Sequence, residues 1–168
     1  SMPSGFTPQK KQLPPNYTEL LTDPHADPDS LKLIFDIADE RGALPAAQAA
    51  LKNPNFRFEP QFLKQIFFSN RGLQYATAVA ENSAFELDMI MDPRLIDAIR
   101  PQLHRFTDTS RSPALLGLIA ALSDGDKDLQ ASLIENPNLA PNTAAELKRA
   151  LDALGAVQPS SGWCITEP

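Results

Sequence analysis

One cysteine, one tryptophan, two tyrosines, two histidines and seven glycines are few for a chain of 168 residues. The lone Cys164 excludes an intramolecular disulfide and a multi-cysteine metal centre. It also lacks a basic neighbour to lower its thiol pKa, since only Glu167 is charged nearby, and it stands one place off the position a prenylation box requires. The two histidines make no paired zinc phrase, and the scarce glycines build neither a phosphate loop nor a dinucleotide fingerprint. No run approaches the roughly 20 apolar residues that a membrane-spanning helix needs. The N-terminal segment is too polar and proline-rich for a signal peptide. The expected location is therefore cytoplasmic, with export by a route without a cleaved signal left open.

Proline, by contrast, is abundant, with 16 residues, and the chain is 42% hydrophobic and 21% charged. That composition supports one domain with a sizeable core. The formal net charge is −6 and the isoelectric point about 4.8, which disfavours nonspecific attraction to nucleic acid or to an anionic membrane. A basic partner suits this balance better than an acidic one.

Three proline phrases punctuate the chain: Asp23-Pro24 to Pro28, Asn53-Pro54-Asn55 to Pro60, and Asn136-Pro137-Asn138 to Pro141. Proline pushes the preceding residue out of the helical region, and Asp and Asn tolerate turns, so each phrase ends one helix and opens another. With the related step Met91-Asp92-Pro93, the intervals between the marker prolines Pro24, Pro54, Pro93 and Pro137 are 30, 39 and 44 residues. Two helices and their turns fill about 30–45 residues in helical repeats.

Between the phrases, apolar residues recur at helical spacing, as in Leu31, Ile34, Phe35 and Ala38. A first long helix is expected to start near Asp29 or Ser30 and stop near Gly42. Further helices are expected over 44–52, 60–70, 72–82, 84–91, 94–105, 112–123, 126–135 and 141–155, and no strand. The predicted class is all-α, an irregular α-solenoid of about eight to ten short helices. Residues 1–16 read as an extended proline-rich arm, 17–157 as a single helical-repeat domain and 158–168 as a tail ending in Trp163, Cys164 and Ile165.

The phrase Ile134-Glu135-Asn136-Pro137-Asn138-Leu139-Ala140-Pro141 followed by Leu147 resembles the leucine-rich repeat variant, a bacterial helical repeat. Asn53-Pro54-Asn55 through Leu63 is similar with two extra residues between the prolines, and Asp23-Pro24-His25 through Leu31 is a looser copy. The resemblance covers well under half of the chain. It implies stacked helical hairpins in a right-handed superhelix akin to HEAT and armadillo arrays, with protein binding as the usual role. The iron–sulfur cluster of some members needs several cysteines and does not carry over to this chain.

Several residues invite chemistry. Asp124, Asp126, Asp128 and Glu135 fall at the first, third, fifth and twelfth places of a calcium loop, but Leu129 stands where the bend needs glycine. A helix start with acids against its dipole explains the same string. Asp23, His25, Asp27 and Asp29 read as capping residues before they read as metal ligands. His104 lies six residues before Ser110, without a nucleophile-elbow phrase. Arg94, Arg100, Arg105 and Arg111 are interrupted by Asp92, Asp97 and Asp108, so a solvated surface is expected in place of a nucleic-acid face.

Five of the nine phenylalanines, Phe56, Phe58, Phe62, Phe67 and Phe68, crowd into thirteen residues and are expected to centre the core. Phe56 and Phe58, in a loop between two prolines, are the members expected nearest the surface. The function expected is a non-enzymatic protein–protein interaction module without cofactor, whose contacts are placed at Phe56, Arg57, Phe58, Arg71 and Tyr75. The alternatives are a regulatory or delivery domain of an enzyme, or a small hydrolase built on the His104 to Ser110 region. Pairing of two copies through the last helix, with Leu147, Ala150, Leu151 and Leu154, is a further option.

Overall fold

A computed structural model describes residues 12–157, and among them every regular element is helical. The α-helices are α1 (Tyr17–Thr22), α2 (Pro28–Arg41), α3 (Leu44–Lys52), α4 (Pro60–Phe67), α5 (Gly72–Ala80), α6 (Pro93–Thr109), α7 (Pro113–Ala121), α8 (Lys127–Glu135) and α9 (Pro141–Val157), with a 3-10 turn at Leu87–Met89. Most of the arm and all of the tail expected at the two ends fall outside the described residues.

Proline opens these helices as its chemistry dictates. Pro28, Pro60, Pro93, Pro113 and Pro141 each occupy the first helical position, where the missing N–H has no intrahelical acceptor to lose. Side chains cap the next free N–H groups: Asp27 accepts from Ser30 at 3.1 Å, Asp92 from Arg94 at 2.9 Å, Ser112 from Leu115 at 3.2 Å and Asp126 from Leu129 at 3.0 Å. At the end of α2, Gly42 takes φ 71°, and the Ala43 N–H reaches back to the Ala38 carbonyl at 2.8 Å, closing the helix as expected near that residue.

The chain divides into two compact units, one ending at Arg57 and the other beginning at Phe58. In the first, α2 and α3 form a hairpin that buries Leu31, Ile34, Phe35, Ile37 and Ala38 with Ala47, Ala50 and Leu51, and α1 packs on both helices. Phe56 closes this core edge-to-face on Phe35, with ring centroids 6.2 Å apart.

In the second unit the principal pairings join each helix to the next one or two along the chain: α4 with α5 and α6, α5 with α7, α6 with α7 and α8, α7 with α8 and α9, and α8 with α9. Phe62, Leu63, Ile66 and Phe67 of α4 are buried, as are Ile99, Leu103 and Phe106 of α6. Phe67 and Phe106 meet edge-to-face at 6.0 Å. Gly72 lets α5 start directly against the end of α4, because a Cβ there would collide with the Phe67 carbonyl oxygen.

A turn recurs at helix ends in both units. At Asp23, Asn53, Asn82 and Asn136 the side-chain oxygen accepts the N–H two residues on, at 2.8 Å in each case. The carbonyl of each accepts the N–H three residues on, at 2.9–3.1 Å. Ser110 makes the first bond through its hydroxyl, to Ser112 at 3.1 Å. It lacks the second because the third residue on is Pro113. These are Asx and Ser turns, in which a short side chain imitates backbone. Ser69 makes both bonds between α4 and α5, accepting from the Arg71 N–H at 3.1 Å and, through its carbonyl, from the Gly72 N–H at 2.8 Å. Apart from Ser69, the positions 23, 53, 82, 110 and 136 are spaced by 30, 29, 28 and 26 residues.

Two Asn residues use the rest of their amide alike. Asn53 Nδ2 donates to the carbonyls of Leu20, Leu21 and Asp23 at 3.2, 3.1 and 2.8 Å. Asn136 Nδ2 donates to those of Thr107 and Ser110 at 2.9 and 3.0 Å. Each thus donates to the carbonyl of the preceding turn residue and to the one three residues before it, at the end of the preceding helix, where carbonyls lack a full set of intrahelical donors.

The structure corrects several expectations. The helix expected over 84–91 is an irregular segment with one 3-10 turn. Phe85, Leu87, Met89 and Met91 recur with a period of two that Ile90 interrupts, so no helical repeat is sustained over the segment, and Pro93 keeps Asp92 extended. Asp92-Pro93 therefore opens α6 and does not belong to the recurring turn, so the 39- and 44-residue intervals give way to the shorter, more even spacing. The short α1 has no counterpart among the predicted helices, and α6 runs through Pro101 to Thr109.

Candidate protein-binding surface

The segment from Asn82 to Asp92 is built to hold side chains out in water. Its ends are anchored: Phe85 packs edge-to-face on Phe58 with centroids 5.4 Å apart, and Ile90 is fully buried. Between these anchors the backbone closes on itself, with the Met89 N–H bonding the Glu86 carbonyl and the Ile90 N–H the Leu87 carbonyl, both at 3.0 Å. With Phe85 half-buried and Ile90 buried, Leu87, Met89 and Met91 are left at 41%, 38% and 48% exposure. Phe68 and Leu154 are the other exposed large apolar side chains among the described residues, so three of five lie within one five-residue stretch.

Acids are interleaved with them. Glu86 and Asp88 are exposed and enter no ion pair among the described residues, and Asp92, also exposed, caps α6. A cluster of exposed leucine and methionine with a polar rim marks an interaction site more often than scattered surface apolar residues do. Methionine adapts its unbranched, polarizable chain to differently shaped partners.

A separate groove of about 510 Å³ lies where the end of α4, the start of α5 and the end of α6 meet. Exposed Phe68 lines it together with Leu73, Gln74 and Arg105. Gln102, buried at its floor, donates to the Phe67 carbonyl at 2.9 Å and accepts from Arg105 at 3.1 Å. Phe68 was expected in the core, but a helix turns about 100° per residue, so while Phe67 faces inward its neighbour faces out.

Three of the five residues expected to contact a partner are not on the surface. Phe56, Phe58 and Tyr75 are 5%, 9% and 1% exposed. Phe56 packs on Phe35 within the first unit and Phe58 on Phe85 within the second, while Arg57 is exposed. Tyr75 lies on the inner face of α5. Arg71 is half-buried and Arg57 exposed.

The residues weighed for chemistry are occupied structurally. Asp126 Oδ2 accepts from Arg100 at 3.1 Å and lies 3.0 Å from His104 Nε2, while its Oδ1 caps α8, tying α6 to α8. Burial alone would raise this carboxyl, but hydrogen bonds from the Leu129 N–H, His104 and Arg100 outweigh it and hold Asp126 below the usual carboxylate range. Burial likewise pulls Arg100 down, and the hydrogen bonds and charges of Asp97 and Asp126 more than reverse it. His104 thus faces Asp126, and the Ser110 hydroxyl accepts a turn hydrogen bond.

Asp23 and Asp27 accept from the His25 and Ser30 N–H groups, as turn and cap residues do. Among the described residues no three His, Cys, Asp or Glu side chains converge as a metal site, and no helix is long and apolar enough to cross a membrane.

The sequence signal for the exposed segment was the alternation Phe85-Glu86-Leu87-Asp88-Met89-Ile90-Met91 ahead of Asp92-Pro93. That alternation, interrupted at Ile90, argues against a helix. No family model matches the chain, and neither a curated protein nor a solved structure matches it.

Proposed function

We propose that this chain is a non-enzymatic protein-interaction module, a helical array that presents an apolar surface to a partner protein. The observation that carries the reading is the joint exposure of Leu87, Met89 and Met91 on a segment pinned at both ends by Phe85 and Ile90. A surface held in shape before binding loses less conformational entropy on docking. The array reading is supported by the near-even recurrence of the Asx turn and, within the second unit, by pairing of each helix with near sequence neighbours, the contact pattern of helical repeats.

The test is site-specific photo-crosslinking in cells of the source organism, with benzoylphenylalanine placed at Met91 or, as a control, at exposed Glu146. A protein captured at Met91 and not at Glu146, and lost when Leu87→Asp is added, supports the reading. The same products at both positions, or none at Met91, reject it.

A further inference from the structure

We propose that the Leu87–Met91 surface receives a basic amphipathic helix of the partner protein. This rests on the reading of that surface as a docking site and adds the chemistry of its occupant. Leu87, Met89 and Met91 supply apolar contact, and the exposed carboxylates of Glu86, Asp88 and Asp92 alternate with them along the chain. Any partner covering the apolar side chains also covers or crowds those carboxylates.

A neutral apolar partner would strip water from carboxylates and return no hydrogen bond, and an acidic one would add repulsion. Lysine and arginine on the flanks of an apolar helical face meet both demands, since their long stems reach the carboxylates while the apolar face covers leucine and methionine. Glu86 and Asp88 have no cation of this chain beside them among the described residues, so their charge is available to a ligand. The net charge of −6 adds a long-range attraction for a basic segment.

The experiment uses the full chain labelled with ¹³C at the methionine methyl groups, which gives three signals, from Met2, Met89 and Met91. Met89→Leu and Met91→Leu assign two of them. Three synthetic peptides are titrated: a leucine–lysine amphipathic helix, the same helix with glutamate in place of lysine, and a scrambled peptide of the first composition.

The lysine helix is expected to shift the Met89 and Met91 signals and to bind at least about tenfold more tightly than either other peptide. Glu86→Lys combined with Asp88→Lys should abolish that preference, whereas Asp124→Asn combined with Asp128→Asn, on a different acidic turn, should leave it intact. Equal binding of the scrambled peptide, a preference for glutamate, or loss of preference in the Asp124 and Asp128 variant overturns the proposal. So do signals that shift with protein concentration alone, which would put a second copy on the surface. If crosslinking at Met91 captures a partner and the lysine helix does not bind, the docking reading stands and the basic occupant falls. If crosslinking fails as well, both fall.

Discussion

Asn53 and Asn136 hold their preceding turns with the same hydrogen bonds: each accepts the N–H two residues on and donates to a carbonyl of the preceding turn residue and to another three positions before that. Each amide thus ties its own turn to the end of an earlier helix, where carbonyls lack a full set of intrahelical donors.

Asn136→Ala should therefore destabilise the fold by about 1–3 kcal/mol, because it leaves the Thr107 and Ser110 carbonyls without the donor they share. Asn136→Asp should cost more, since a carboxylate replaces the donor and faces two carbonyl oxygens. Urea unfolding followed by circular dichroism measures both. Equal stability of native chain and Asn136→Ala would mean that water replaces the amide without loss.

Gly72 and Gly117 should respond in opposite directions to alanine. At Gly72 a Cβ meets the Phe67 carbonyl and comes 3.2 Å from the Phe106 ring, so Gly72→Ala is expected to cost about 1–3 kcal/mol. Gly117, inside α7, has nothing within 4 Å of an added Cβ. Gly117→Ala should stabilise by roughly 0.5–1 kcal/mol through helix propensity. Thermal melts of the two variants decide it.

Acid should loosen the tie between α6 and α8. The folded-state pKa of Asp126 lies below its ordinary value of 3.8, so its ionised form contributes stability that is fully present above that pH and disappears as pH falls through the lower, folded value. Asp126→Asn keeps a capping oxygen and removes the charge. Its stability should lie below that of the native chain at pH 7 and approach it at the acid end. Equal stability of the two chains at every pH would show that Asp126 acts through the cap alone.

Phe58→Ala and Met91→Asp separate the core from the surface. The buried ring on Phe85 should cost about 3–5 kcal/mol when removed, enough to compromise folding. Met91→Asp should change stability by no more than about 0.5 kcal/mol while abolishing crosslinking to a partner. Melting temperatures and crosslinking yields of the same two preparations test the division.

Periodicity and proline punctuation made the helices legible. Leu31, Ile34, Phe35 and Ala38 face one way because a helix brings residues three and four apart to the same side, and each helix-opening proline marks a start because it has no N–H to donate. The even spacing of the turns was hidden, because the markers followed were prolines, whereas the turn is made by the side-chain oxygen of Asp23, Asn53, Asn82, Ser110 or Asn136, and two of these have no proline next to them. The exposure of Phe56 and Phe58 was misjudged because a loop between prolines leaves solvent and core equally available until the opposing rings are known.

The sequence by itself determined that this chain is helical, where most helices begin and end, and that its net charge is −6, because those properties follow from local backbone chemistry and from summed charge. Only the tertiary structure decided which of the apolar residues are left over. Phe35 and Phe85 took Phe56 and Phe58 inward, while anchoring Phe85 and Ile90 left Leu87, Met89 and Met91 outside. Burial depends on what arrives from elsewhere in the chain, and that is set by packing across distances no local pattern encodes.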